Sequence, residues 1–125
     1  MIKNVNAIAY LLIGIGICLG ALGAHFLETK LTADQLDSFK TGVFYQIISG
    51  IGILLVSMKE NSSAPALKLI FIGCLMFSGS IYLLSCHNLL GLTSIKPVLG
   101  PITPVGGLLI ISGWFLLFFR ELKKK

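Results

Sequence analysis

Six side chains in this sequence have the means to hold or orient a ligand: His25, Tyr45, Gln46, Ser78, Tyr82 and Thr103. They comprise an imidazole, two phenols, an amide and two hydroxyls, each able to donate and accept hydrogen bonds. All lie within or at the edge of apolar sequence, where a polar group is expensive and marks a candidate site. Ser78 and Tyr82 are four residues apart and share one face of a helix. His25, Glu28, Cys86 and His87 add ligating atoms but in no compact spacing, so neither a metal nor a cofactor is expected. No nucleophile, base and orienting group can be assembled from these residues, so no catalytic residue is assigned and the chain is not expected to be an enzyme. At a span end, where burial is partial, His25 reads first as a cap or crosslink between helix ends, and as a functional imidazole only second.

The elements that position these groups are written in the distribution of charge. The chain has ten basic and five acidic side chains among 125 residues. None falls within Asn4–Leu27, Thr41–Met58, Leu69–Ile95 or Pro97–Phe119. Each run is long enough, or nearly so, to cross a bilayer core, which needs about 20 apolar residues of helix. Backbone amides in lipid must be paired within their own segment, so the runs are expected to be helices. A soluble core helix would show a polar face at 3.6-residue spacing, whereas Ile47–Val56 and Leu108–Phe119 are apolar nearly all round. The expectation is an all-α polytopic membrane protein, a compact four-helix bundle forming one domain, with spans near 5–26, 42–57, 66–87 and 104–119.

A net charge of +5 is of the sign that nucleic acid attracts, but its placement points to the lipid bilayer as the partner and away from nucleic acid. Arg120, Lys123, Lys124 and Lys125 directly follow the last run, as membrane-anchoring basic clusters do. With the N-terminus inside, the cytoplasmic set is Lys3, Lys59, Lys68, Arg120, Lys123, Lys124 and Lys125, against Lys30, Lys40 and Lys96 outside. The positive-inside rule then places both termini in the cytoplasm of a bacterial plasma (inner) membrane. Lys3 and Ala21-Leu22-Gly23 raise a signal peptide, but Ile17 is too large to precede a lipoprotein cleavage at Cys18, and the run is read as a span. Cys18, Cys74 and Cys86 are odd in number and lie in or beside spans, which makes them packing residues and not a disulfide framework.

Small residues predict how the helices approach. Gly16, Gly20 and Ala24 recur every four residues on the first span, a stripe that suits packing within the bundle and, secondarily, a dimer seam. Gly42, Gln46 and Gly50 share a face of the second span; Gly79, Gly106 and Gly107 are assigned to packing on the third and fourth. Thr32 and Gln35 form a Thr-x-x-Gln capping box with Leu31 and Leu36 as its hydrophobic staple, which starts a helix at Ala33. Asp34 and Asp37 then lie favourably near a positive helix end. Gln46 should face protein and hydrogen-bond a neighbouring helix. Between Lys96 and Pro104, three prolines and Gly100 argue against regular helix, with Thr103 as N-cap and Pro104 opening the fourth span.

Five blocks in order resemble the YgdD/YwdK-like small membrane proteins of bacteria, the domain of unknown function 423 family. They are Gly20-Ala21-Leu22-Gly23-Ala24-His25, Thr41-Gly42-Val43 with Tyr45-Gln46, and Ser78-Gly79-Ser80-Ile81-Tyr82-Leu83-Leu84. Gly100-Pro101-Ile102-Thr103-Pro104-Val105-Gly106-Gly107 and Ser112-Gly113-Trp114 complete the set. The resemblance implies four spans in the plasma membrane and carries no activity with it. Where that family commonly has a histidine three residues after the Tyr-Gln pair, this chain has Ser49. Three function classes follow. A structural or accessory membrane protein, packing as a homo-oligomer or in a larger membrane complex, ranks ahead of a small-solute or ion channel or transporter acting as a homo-oligomer. An enzyme ranks last. No charge lies at the membrane midplane, where ion and proton pathways commonly carry one.

Overall fold

In the computed structural model, which describes residues 4–123, all regular structure among those residues is helical. The long helices are α1 (Val5–His25), α2 (Ala33–Ser57), α3 (Ala64–Ser85) and α5 (Lys96–Leu122); a short α-helical turn, α4 (His87–Leu90), and 3-10 turns at Leu27–Thr29 and Thr93–Ile95 lie in the connections. All four long helices have the length and composition to cross a membrane. Lys3, Lys124 and Lys125, three of the charges used above to orient the chain, lie outside the described residues.

Helix α2 starts where its capping box dictates. The Gln35 N–H donates to Thr32 Oγ1 at 3.3 Å, and the Thr32 N–H donates to Gln35 Oε1 at 3.0 Å. Two otherwise orphaned amides are thereby paired. Leu31 and Leu36 both pack against the buried cluster of Leu27, Phe39 and Val43, so the staple ties the loop to the bundle. Thr32→Ala should cost about 1 kcal/mol, read as faster amide exchange confined to the first turn of α2.

Helix α3 is capped by Ser63, whose Oγ accepts from the Ala66 N–H, and Pro65 sits in the first turn where no N–H is needed. The start of α5 corrects the sequence expectation. The helix begins at Lys96, two turns ahead of Thr103, and contains Pro101 and Pro104 in its interior. Thr103 is therefore an internal residue and not a cap. Pro97 falls in the first turn, where it removes no intrahelical bond, and only Pro101 and Pro104 remove one each. Membrane helices tolerate such losses when neighbouring helices hold the segment, and here Leu99 and Gly106 are buried.

Neighbours in sequence are neighbours in space: α1 packs on α2, α2 on α3, and α3 on α5. The main core gathers Ala9 and Leu12 of α1, Ile53 of α2, Leu67, Ile70 and Cys74 of α3, and Ile110 of α5. Hydrocarbon outside that core, such as Leu11, Leu55, Leu75, Leu108 and Phe118, is exposed at the protein surface, as a lipid-facing surface requires.

The α3–α5 interface is the closest. A Cβ at Gly106 would stand 2.5 Å from the Phe77 amide nitrogen and 2.8 Å from the Gly73 carbonyl oxygen. One at Gly113 would stand 2.6 Å from Ile70 Cγ1 and 3.0 Å from the Ala66 carbonyl oxygen. Backbone meets backbone there, which only glycine allows.

Candidate functional site

The polar interior is built around Gln46, which is only 6% exposed. Gly16 on α1 lets α2 come close: a Cβ there would meet Ile47 Cγ1 at 2.6 Å and the Gln46 amide nitrogen at 3.5 Å. That approach puts Gln46 Nε2–H within 2.8 Å of the Leu12 carbonyl oxygen. On its other side, Gln46 Oε1 accepts from the Tyr82 hydroxyl at 2.8 Å. One side chain thus joins α1, α2 and α3. The Tyr82 ring lies over Gly42, where a Cβ would meet it at 2.9 Å, and packs at 4.9 Å between centroids on Phe39. Ser78, 2% exposed, donates to the Gly42 carbonyl oxygen at 2.8 Å. On the opposite flank of α3, Ser80 and Thr103 of α5 share a hydrogen bond of 2.6 Å.

The structure therefore brings Gln46, Ser78 and Tyr82 together around Gly42 and gives Thr103 a separate partner. Tyr45 is 40% exposed and packs edge-on against Phe77 with centroids 5.0 Å apart, away from the Gln46–Tyr82 pair. His25 is exposed at the last residue of α1. Neither contributes to the interior network. Among the packing residues, Gly16, Gly20, Gly42, Gly50, Gly106 and Gly107 each face a neighbouring helix within 4 Å. Ala24 is exposed, and Gly79 has nothing within 4 Å of its Cβ position.

Four glycines that make equally close contacts stand outside the sequence assignment: Gly23 against Phe39, Gly52 under Trp114, and Gly73 and Gly113 in the α3–α5 interface. A signal for the last two exists. Ala66, Ile70 and Gly73 on α3 repeat the spacing of Gly106, Ile110 and Gly113 on α5, and the antiparallel helices pair these two triplets.

Cavities open at both ends of this interior. At the end holding the start of α1, one of about 450 Å³ is lined by Asn4, Asn6, Ser57, Ser62 and Leu67, and Ser57 Oγ–H donates to Asn6 Oδ1 across it at 2.7 Å. At the opposite end, one of about 310 Å³ lies among the beginnings of α2 and α5 and the end of α3. Among the described residues no three His, Cys, Asp or Glu side chains stand where they could share a metal ion, and the three cysteines are free thiols.

Residues 19–107 match the family described as "Protein of unknown function (DUF423)". The chain is 37% identical over 108 residues to a UPF0382 membrane protein of Staphylococcus haemolyticus, covering 83% of each chain. It is likewise 37% identical over 108 residues to one of Staphylococcus saprophyticus, covering 83% of this chain and 84% of that one. A third, from Staphylococcus aureus, shows 37% identity over 108 residues and 83% coverage of both. No solved structure matches.

Proposed function

The chain belongs to the DUF423 family of membrane proteins, and from that premise we propose that it is an accessory structural unit of the membrane, neither an enzyme nor a solute path. It is a multi-pass protein of the plasma membrane. The observation that carries the proposal is how its interior polarity is used. Gln46, Tyr82, Ser78, Ser80 and Thr103 spend their hydrogen bonds on holding helices together. Among the described residues no Asp, Glu, Lys or Arg is buried. Such an interior supplies rigidity and no charged stepping stone for an ion or proton. We place both termini in the cytoplasm from the basic excess at that end. The lipid-facing surfaces of α1 and α5 are then the faces through which the unit meets a second copy or a larger membrane complex.

Native mass spectrometry of the full chain from lipid nanodiscs should show a discrete homo-oligomer or a co-purifying larger subunit. Proteoliposomes containing it should pass ions and small solutes no faster than empty ones. A lone monomer, or solute flux above the empty vesicles, overturns the reading.

A further inference from the structure

The connection between α3 and α5, Cys86–Ile95, is built unlike a loop that faces water. Its sequence, Cys-His-Asn-Leu-Leu-Gly-Leu-Thr-Ser-Ile, holds no charged side chain. Its polarity is inverted: His87 is buried with Nδ1 2.6 Å from the Leu84 carbonyl oxygen, while Leu89 is 47% and Leu90 54% exposed. Ile95 is exposed as well. By contrast, Lys59–Ser63, which joins α2 to α3 at the opposite end, has no apolar side chain. Backbone pairing points the same way. The Leu90 N–H donates to the Cys86 carbonyl oxygen at 3.0 Å, and the Leu92 N–H to that of His87 at 2.9 Å. The Ile95 N–H reaches the Leu92 carbonyl oxygen at 3.2 Å, and Gly91, at a φ of 66°, turns the chain between the two short helical turns. In water such amides need no partner from the chain; out of water they do.

Depth follows from length. The apolar helical stretch Thr93–Leu122 has 30 residues, about 45 Å of helix against a hydrocarbon core of about 30 Å. Counted back from Arg120, the core is crossed in about 20 residues, near Gly100, so Ile95 and α4 stand in the headgroup layer. Their apolar surface continues through exposed Val98 and Val105 to Leu108 on the lipid-facing side of α5. We infer that Cys86–Ile95 is an interfacial anchor, a surface held by the lipid leaflet at this end of the bundle. Leu89, Leu90 and Ile95 lie at the boundary between headgroups and acyl chains, as the apolar face of an interfacial helix does. Lys96, exposed at the start of α5, extends its ammonium to the lipid phosphates. Phe26, also exposed, supplies a second apolar–cationic pair at this end, with the Lys30 ammonium 5.9 Å from its ring centroid. The anchor fixes the depth of the α3–α5 hairpin in the bilayer, and it holds whether or not the accessory role does.

The test places the full chain in phospholipid nanodiscs containing a lipid with a photoactivatable diazirine near the glycerol end of its acyl chains. After illumination, peptide sequencing by mass spectrometry should find lipid adducts on Leu89, Leu90 and Ile95 of the wild type, as on Val98, and none on Asn61 or Ser62. A second measurement uses Leu90→Trp made together with Trp114→Phe, which leaves one tryptophan. Its emission should be blue-shifted from that of tryptophan in water. Lipid brominated near the glycerol should quench it more than lipid brominated at mid-chain. The photolabelling needs no substitution and decides the matter even if the tryptophan variant fails to fold. Wild type without adducts in Leu89–Ile95 overturns the anchor. Red-shifted emission places the leucines in water, and blue-shifted emission that neither lipid quenches places them under a second copy or another protein; both overturn it. Stronger quenching at mid-chain overturns the headgroup depth.

Discussion

Gly106→Ala should destabilise the folded chain by about 2–3 kcal/mol, whereas Gly14→Ala should leave it unchanged or stabilise it by about 0.5–1 kcal/mol. Both replace a helical glycine by the best helix former, so propensity alone predicts a gain at both. The difference lies in what the new methyl meets. At Gly106 it would stand 2.5 Å from the Phe77 amide nitrogen, 2.8 Å from the Gly73 carbonyl oxygen and 2.9 Å from Met76 Cβ. None of these is the far end of a flexible side chain, so α3 and α5 must move apart as bodies. At Gly14 nothing lies within 4 Å. Separation of α3 from α5 also loosens Gly113 from Ile70 and removes Ile110 from the main core, so Gly106→Leu should leave no folded population. Thermal unfolding in a mild detergent, read by tryptophan fluorescence, checks the pair because Trp114 on α5 reports its contact with Gly52. Equal stability of the two alanine variants would show that α3 and α5 are not in backbone contact.

How far the fold is legible in the letters depends on which force sets each feature. Exclusion of charge from lipid is a large, local effect, and it marks all four spans without reference to tertiary structure. The capping box at Thr32 and Gln35 is equally local and equally visible. Helix faces are harder, because they depend on phase. At about 100° per residue, Gly23 lies only about 20° from Gly16 around α1, while Ala24 lies about 80° away. Counting in fours follows the stripe to Gly20 and then loses it, which is why Ala24 is exposed and Gly23 meets Phe39. Proline misleads for another reason. Its cost is real in isolation, but Pro97 falls in the first turn, and α5 is held by its tight contact with α3 over the following turns. The polar groups divide in the same way. That Gln46 must face protein follows from its cost in lipid; that Tyr82 accompanies it and Tyr45 does not is decided by the position of Gly42 under the Tyr82 ring.

Gln46→Leu should cost about 2–3 kcal/mol, the largest effect expected of any polar substitution in the interior. Leucine has nearly the volume of glutamine, so the change tests bonding more than packing. Two bonds between helices disappear: Nε2–H to the Leu12 carbonyl oxygen and the Tyr82 hydroxyl to Oε1, each 2.8 Å long. Bonds of this kind in membranes are worth about 0.6 kcal/mol on average and up to about 1.7 kcal/mol. The remainder comes from the Tyr82 hydroxyl, left without its acceptor beside the core. The Leu12 carbonyl loses less, since it lies within α1 and keeps its helical donor. Tyr82→Phe alone removes one bond and should cost about 0.6–1 kcal/mol. Made on top of Gln46→Leu, the same change deletes an orphaned hydroxyl and should cost nothing or restore stability. The two substitutions are therefore non-additive by about 1 kcal/mol or more, the signature of groups that share a bond. A double-mutant cycle in detergent micelles measures that coupling directly. Additive losses would mean that Gln46 and Tyr82 stabilise the chain separately, with Gln46 tied to α1 through Leu12 and α2 tied to α3 through the Ser78–Gly42 bond.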